Sequence, residues 1–311
     1  MKNLIILGIA LFYCFTIGAQ QSAPLKLAPE KNKVYRLKKV SQQNIIQSMN
    51  GMEQTTSVNN NSVVSFKMIE QTPDFMVAEV RFDTIVTKTS AMGQNFTYNS
   101  ANPGNIKSDK INEVMDCLMN RYCSTPLFVK ITPTGKVLEI INLKLFSTNV
   151  LKDVDSIKGQ AAMMVKNQSQ NLTDVKTLST SIESFTNYLP GKDVVIGGSW
   201  ENMVNTSSGG MSLAVSSKYK LNDIKGNNAL VTGESKITPA GSAPMEVNGM
   251  KIFYDLAGTS KATMELDTKT GFATKSSEKN HMEGTMKIEM PGNTMSIPVK
   301  VDGETSTVSF L

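Results

Sequence analysis

Polar and apolar residues alternate along most of this chain, and the alternation fails in one stretch near its middle. From Lys33 onward Val, Ile, Thr, Tyr and Phe trade places with polar residues, the pattern of half-buried strands. Asn50-Gly51, between two such segments, predicts a tight hairpin turn. Met76, Ala78, Val80, Phe82, Thr84 and Val86 fall on one face of the next strand, and Glu79, Arg81 and Asp83 on the other. Period two sustained over that length predicts an antiparallel sheet with one wet face.

The middle follows a different period. Ser108 is expected to cap a helix in which Ile111, Val114, Met115, Leu118 and Tyr122 recur at helical spacing. A short hairpin follows, with Phe128 to Ile131 and Lys136 to Ile141 around a turn ending at Gly135. Between Leu143 and Tyr188 the strand pattern is gone. Leu172, Val175, Leu178, Ile182 and Phe185 step at roughly helical intervals until Pro190-Gly191 stops them, which predicts two or three helices. After Val194 the strand pattern returns. Met211, Leu213, Val215, Tyr219 and Leu221 share one face, as do Met250, Ile252, Tyr254 and Leu256, and Gly271 ends a hairpin loop begun at Asp267. The fold class expected is α+β, mostly β: curved, half-barrel-like antiparallel sheets with a central helical segment. Residues 24–142 form the first β-rich region with one helix, 143–189 the helical segment and 190–311 the second β region.

Composition narrows the chemistry. The chain has 311 residues, 40% apolar and 19% charged, with a formal charge of +5 and no basic run, so no nucleic-acid footprint is expected. A single histidine, His281, rules out a multi-histidine zinc site and leaves one candidate base for a Ser-His-Asp arrangement. Asp153 with Asp155, or Glu278 with Glu283, are the carboxylate pairs a hydrolase could use; solvated surface charge is the expected state of each. Neither a Walker pattern nor a GxGxxG turn is present, and no cofactor or metal is expected. Trp200, the only tryptophan, is expected to anchor the core at the entry to the second β region.

The N-terminus gives an address. Lys2 precedes an apolar run from Leu4 to Ile17, and Gly18-Ala19 close it with small residues. This is the layout of a secretory signal peptide spanning 1–19, too short for a dependable membrane span. The mature chain is expected to be exported, periplasmic or extracellular, and soluble, with no later transmembrane segment. In that compartment Cys117 and Cys123 are a candidate disulfide. On one continuous helix their Cα atoms would lie ~9 Å apart along the axis, beyond the ~7 Å limit, so a bridge requires the helix to end before Cys123. The alternative is a pair of buried thiols.

Nineteen methionines are unusual, and Met282, Met286, Met290 and Met295 cluster near the C-terminus beside His281. Thioethers suit copper(I), but residues four apart on a strand are ~13 Å apart, too far to share one ion. Core lining is the expected role. Met282, Met286 and Met290 are also the candidate apolar ligand face, since methionine adapts to varied apolar partners.

Several short landmarks carry a resemblance. They are Leu25 to Leu27 with Lys33 to Tyr35, Gly135 to Ile140, and Tyr188 to Pro190 followed by Val194 to Trp200. The last resembles a Leu-Pro…Val…Gly-Asp-Ser-Trp signature, with Gly198 where Asp is common. Together they resemble a family of exported Gram-negative bacterial proteins that carry a domain of unknown function. The resemblance implies an exported, β-rich protein with no assigned catalytic residues; a more distant likeness is to the half-barrels of periplasmic lipoprotein and lipid carriers. The function expected is non-enzymatic binding of an apolar or lipid-like ligand, or of an envelope protein. A carboxylate-dependent hydrolase of the envelope is the alternative.

Overall fold

The computed structural model describes residues 21–310 apart from 50, 158–161, 163–164, 166–168, 170, 209–210, 242–244, 248–249 and 291. The expected signal peptide and Asn50 of the first turn lie outside these residues. The chain builds β1 (Ser22–Leu25), β2 (Val34–Met49), β3 (Met52–Gln71), β4 (Met76–Ala91) and β5 (Gln94–Asn99). Helix α1 (Ile111–Ser124), β6 (Leu127–Ile131), β7 (Val137–Ile140), α2 (Leu143–Val150) and α3 (Val175–Glu183) follow. Then come β8 (Lys192–Val195), β9 (Ser199–Ser208), β10 (Met211–Lys225), β11 (Asn228–Pro239), β12 (Met245–Val247), β13 (Met250–Asp267), β14 (Ala273–Met290) and β15 (Asn293–Phe310). Thirteen strands form one curved antiparallel sheet, ordered β7-β6-β4-β3-β2-β15-β14-β13-β11-β10-β9, with β5 on β4 and β12 on β13. A separate pair joins β1 to β8. The two β regions read from the sequence meet where β2 pairs with β15, from Arg36 opposite Phe310 to Gln47 opposite Val299.

Alternation places most side chains as expected, with one correction. On β4, Met76, Ala78, Val80 and Phe82 are buried, but the register against β3 shifts where Phe82 pairs with Val64 and Thr84 with Val63. The extra residue, Asp83, is a bulge that reverses the face of everything after it. Ile85, rather than Thr84 or Val86, therefore packs into the core. Ser108 is not the helix cap either: the N-cap of α1 is Lys110, without a side-chain cap bond, and Ser108 Oγ accepts from the Lys110 amide. Asp174 does cap its helix, accepting from Thr177 N at 2.9 Å.

Three apolar clusters among the described residues stabilise the fold. The largest gathers Leu37, Phe66, Leu127, Phe146, Ile182 and Leu266 between the sheet and the α2 and α3 segments. A second packs Val114 and Leu118 of α1 against Val154 and Val165. The third lies toward the other end of the sheet: Leu256, Met282, Met286, Ile297 and Val301, with Leu213 and Ile237. The helices contact chiefly β4, β5, β7 and β9, so strands must cover this third cluster. Laid flat, β10 and β15 would stand ~19 Å apart, four strand spacings. Burial of Leu256 to 0% and Met282 to 4% requires the flanks to curl inward. Glycine permits the curl. A Cβ on Gly258 would sit 2.0 Å from His281 O, and one on Gly284 would sit 1.9 Å from Asp255 O. Only a residue without a side chain fits there.

Candidate binding cavity

Strands β7 and β9 are the two ends of the main sheet path, and α3 contacts both. The segment from α3 to Pro190 is tied to each edge by specific bonds. On one side Val137 N donates to Glu183 Oε1 at 2.8 Å, and Thr186 Oγ1 donates to Gly135 O at 2.6 Å. On the other, Asn202 Nδ2 donates to Asn187 O at 2.7 Å and Trp200 Nε1 to Tyr188 O at 2.9 Å. Tyr188 fastens it to the sheet as well: its hydroxyl donates to Gly271 O at 3.2 Å and accepts from Ala273 N at 2.9 Å. Trp200 is the expected anchor, 8% exposed and stacked on Tyr219 with ring centres 5.6 Å apart. These residues close the gap that backbone pairing leaves open.

Beneath this plug lies a cavity of about 300 Å³. That volume is at the lower end of the range for small-molecule sites. Thr180, Phe185 and Tyr188 form its roof; Lys39, Tyr219, Met264, Ser276 and Thr307 belong to its sheet side. Paired hydroxyls mark its wall, with Ser217 Oγ 2.8 Å from Ser235 Oγ. From Tyr219 it extends to Val215, four residues along β10 or ~13 Å. Val215 also packs against the third cluster, so the cavity reaches the edge of the methionine-rich region.

Lys39 supplies the charge. It is partly buried, with Nζ 5.1 Å from the centre of the Phe185 ring. Burial holds its ammonium below the usual lysine range, and the Glu278 carboxylate partly restores it. Glu278 is exposed at the margin of the cavity. Burial likewise pushes the Tyr219 and Tyr188 phenols up, so both stay neutral hydrogen-bonding groups at physiological pH.

The residues singled out from the sequence lie elsewhere. Helix α1 continues through Cys123 to Ser124, and Cys117 and Cys123 are both free. The condition for a bridge, a helix ending before Cys123, is not met: Cys117 packs into the α1 cluster and Cys123 against the largest one. Burial pushes the Cys123 thiol up to about 11. Met282 and Met286 are 4% and 7% exposed inside the third cluster, while Met290 is half-buried near the hairpin tip, so this face is packed rather than open. His281 lies on the opposite, wet face. Its Nδ1 is 2.6 Å from Asp302 Oδ1 and its Nε2 3.9 Å from Glu283 Oε2. The His281 hydrogen bond holds the Asp302 carboxyl below its usual range. Among the described residues no serine or cysteine is hydrogen-bonded to His281. Glu278 borders the inner cavity, whereas Glu283, an odd number of residues away on the same strand, points to the other face. Those two carboxylates are not brought together. Lys39 was missed in the sequence, although its signal was there: it shares a strand face with Leu37, which is 1% exposed.

A wider trough of about 850 Å³ lies across β13–β15 and β2, lined by Lys261, Lys279, His281, Asp302 and Glu304 among others. Its charged groups are largely solvated and paired, as in the Lys279–Glu304 contact of 2.6 Å. Among the described residues no group of three or more His, Cys, Asp or Glu side chains is placed to hold a metal ion, and no helix is long and apolar enough to cross a membrane.

Comparison with known proteins gives a family and remote structural likenesses. The model of the family described as "Family of unknown function (DUF6263)" matches residues 74–273. No curated protein matches. Among solved structures, lipovitellin, studied for its lipid–protein interactions, is similar at 8% identity and a TM-score of 0.44 over 91% of this chain. This chain spans 25% of that one. An outer membrane channel from Pseudomonas putida F1 aligns over 91% of this chain and 97% of its own at 7% identity and a TM-score of 0.25. A putative outer membrane lipoprotein-sorting protein domain from Vibrio parahaemolyticus aligns over 86% and 83% at 9% identity and a TM-score of 0.13. At these scores the likenesses carry no functional weight.

Proposed function

We propose a non-enzymatic binding role for this chain, which belongs to the family of unknown function DUF6263: its curved sheet holds a lipid-like molecule in the cavity beneath the α3 plug. The observation that carries this reading is the cavity itself. Aromatic and aliphatic side chains such as Phe185, Tyr188, Tyr219, Val204 and Met264 share its wall with many Ser and Thr hydroxyls, one cation, Lys39, and the carboxylates Glu183 and Glu278, and it reaches Val215 at the edge of the methionine cluster. Aromatic and aliphatic surface beside placed polar groups suits an amphipathic small molecule. The methionines Met282, Met286 and Met290 are the adaptable part: flexible thioether side chains can repack around a chain that enters beyond Val215. In this reading the protein acts outside the cytoplasm, with the apolar run from Leu4 to Ile17 directing export, and delivers or holds its ligand in the cell envelope.

The test is titration of the mature chain with a neutral apolar dye such as Nile red, beside an Ala262→Phe variant that fills the cavity from β13. Ala262 borders the cavity and is only partly buried, so the added ring enters open space. Saturable one-to-one binding by the parent chain, lost in a variant with an unchanged β-sheet spectrum, is the expected result. Equal binding by both chains, or none by either, refutes the cavity as the site.

A further inference from the structure

We infer that the ligand's polar end is an anion, a carboxylate or a phosphate, seated at Lys39; this rests on the binding role proposed above. Exposed lysines are either solvated or paired with a carboxylate on the wet surface. Lys33, Lys130, Lys279 and Lys287 each hold a carboxylate within 3.1 Å on the wet surface. Lys39 is drawn in under Phe185, and among the described residues no carboxylate lies within 4.0 Å of it. Two carboxylates line the same cavity: Glu278, an exposed side chain at its margin that acts on Lys39, and Glu183, whose oxygens accept from Val137 N and Asn187 Nδ2. An ammonium withdrawn from water without a close counter-ion is costly, and an incoming anion removes that cost.

The surroundings fit an anionic head. Across the strands Lys39 pairs with Thr307 and Thr307 with Ser276, placing two hydroxyls in the same row of one sheet face, and both line the cavity. A hydroxyl can donate to an anion's oxygens while the ammonium supplies a compact positive charge. A cationic head would be repelled by Lys39, and a neutral one would leave it unpaired. From this polar end the cavity passes Tyr219 and ends at Val215 and Val204. An ammonium at one end, and valines with uncharged hydroxyls at the other, suit a single-chain amphiphile lying along the strands.

Calorimetric titration with dodecanoate, dodecyl phosphate and dodecanol separates head from tail. Both anions are expected to bind the parent chain at least tenfold more tightly than dodecanol. Lys39→Met should bring the anions down to the affinity of dodecanol, with an unchanged β-sheet circular dichroism spectrum as the check that the variant is folded. Glu278→Gln, which removes the competing carboxylate, should tighten the anions only, and it provides the test if Lys39→Met does not fold. A gain for one anion alone supports the inference and identifies the head group. Equal affinity for all three ligands, with both variants silent, overturns the anionic head and leaves the binding role standing. Failure of all three to bind overturns the binding role itself.

Discussion

Replacing Gly258 by alanine tests the tight curl of the sheet, on which the cavity and the third cluster both depend. A Cβ built there meets His281 O at 2.0 Å and Met282 Cα at 2.7 Å, both backbone atoms of β14. Backbone cannot swing aside as a side chain would, so β13 and β14 must part by about 1 Å before the contact becomes tolerable. Inserting a methyl into a packed site costs ~1–3 kcal/mol. Lifting the strand pair also weakens the flanking ladder bonds, each contributing ~0.5–1.5 kcal/mol. Against this, alanine restricts the unfolded chain and returns ~0.4–1 kcal/mol. The net expectation is a loss of ~2–4 kcal/mol, read as a lowered midpoint in urea with an unchanged slope. Gly51→Ala is the comparator. Gly51 has φ +78° and nothing within 4 Å of a built Cβ, so only left-handed backbone strain of ~1–2 kcal/mol applies. If Gly258→Ala is no more destabilising than Gly51→Ala, the strands do not approach this closely and the account of the curl is wrong.

Three further outcomes are expected. Met286→Ala should cost ~2–5 kcal/mol in the same denaturation assay, as for a buried methionine in a closed cluster; a cost under ~1 kcal/mol would place Met286 on an open groove instead. Without reductant, alkylation should label Cys117 and Cys123 fully in denaturant and only slowly in the folded protein, because both are free and burial raises the Cys123 thiol to about 11. Absence of labelling in denaturant would reveal a bridge. Burial raises the phenol pKa values of Tyr122, Tyr188 and Tyr219. Their stabilising contribution is whole below the unfolded value near ~10 and is lost as pH climbs through the folded values. Stability should therefore decline above pH ~10, with loss of sheet circular dichroism accompanying the last tyrosinate absorbance; complete tyrosine ionisation with the sheet intact would contradict it.

Much of the architecture was legible because it is local. The paired strands from Val34 to Ala91 and from Ser199 to Phe310, the Phe128 hairpin and helix α1 follow from alternation, turn residues and helical spacing that a few neighbouring residues define. The Met282–Met286 side of β14 reads as interior on the same ground, and both residues are buried. The bulge at Asp83 was not legible, because a one-residue slip is a property of the pairing with β3 rather than of β4 alone. The candidate cysteine bridge depends on where α1 ends, and α1 runs through Cys123 to Ser124 with Tyr122 packed against Phe82 and Phe146.

By itself, then, the chain's order of residues decided which side of most strands is apolar, where hairpins turn, and that helices interrupt the sheet only in the middle. The tertiary structure alone decided that β2 and β15, more than two hundred residues apart, join the two β regions into one sheet. It also decided that the sheet curls at Gly258 and Gly284, and that α3 spans the gap between β7 and β9. Lys39 shows the difference most clearly. Period two puts it on the Leu37 face, but beside Lys38 it reads as one more surface cation. It becomes a partly buried charge in a cavity only when Phe185, from a distant segment, closes over it. Side-chain direction is set by the local backbone, whereas curvature and enclosure come from contacts between segments that no short stretch of sequence contains.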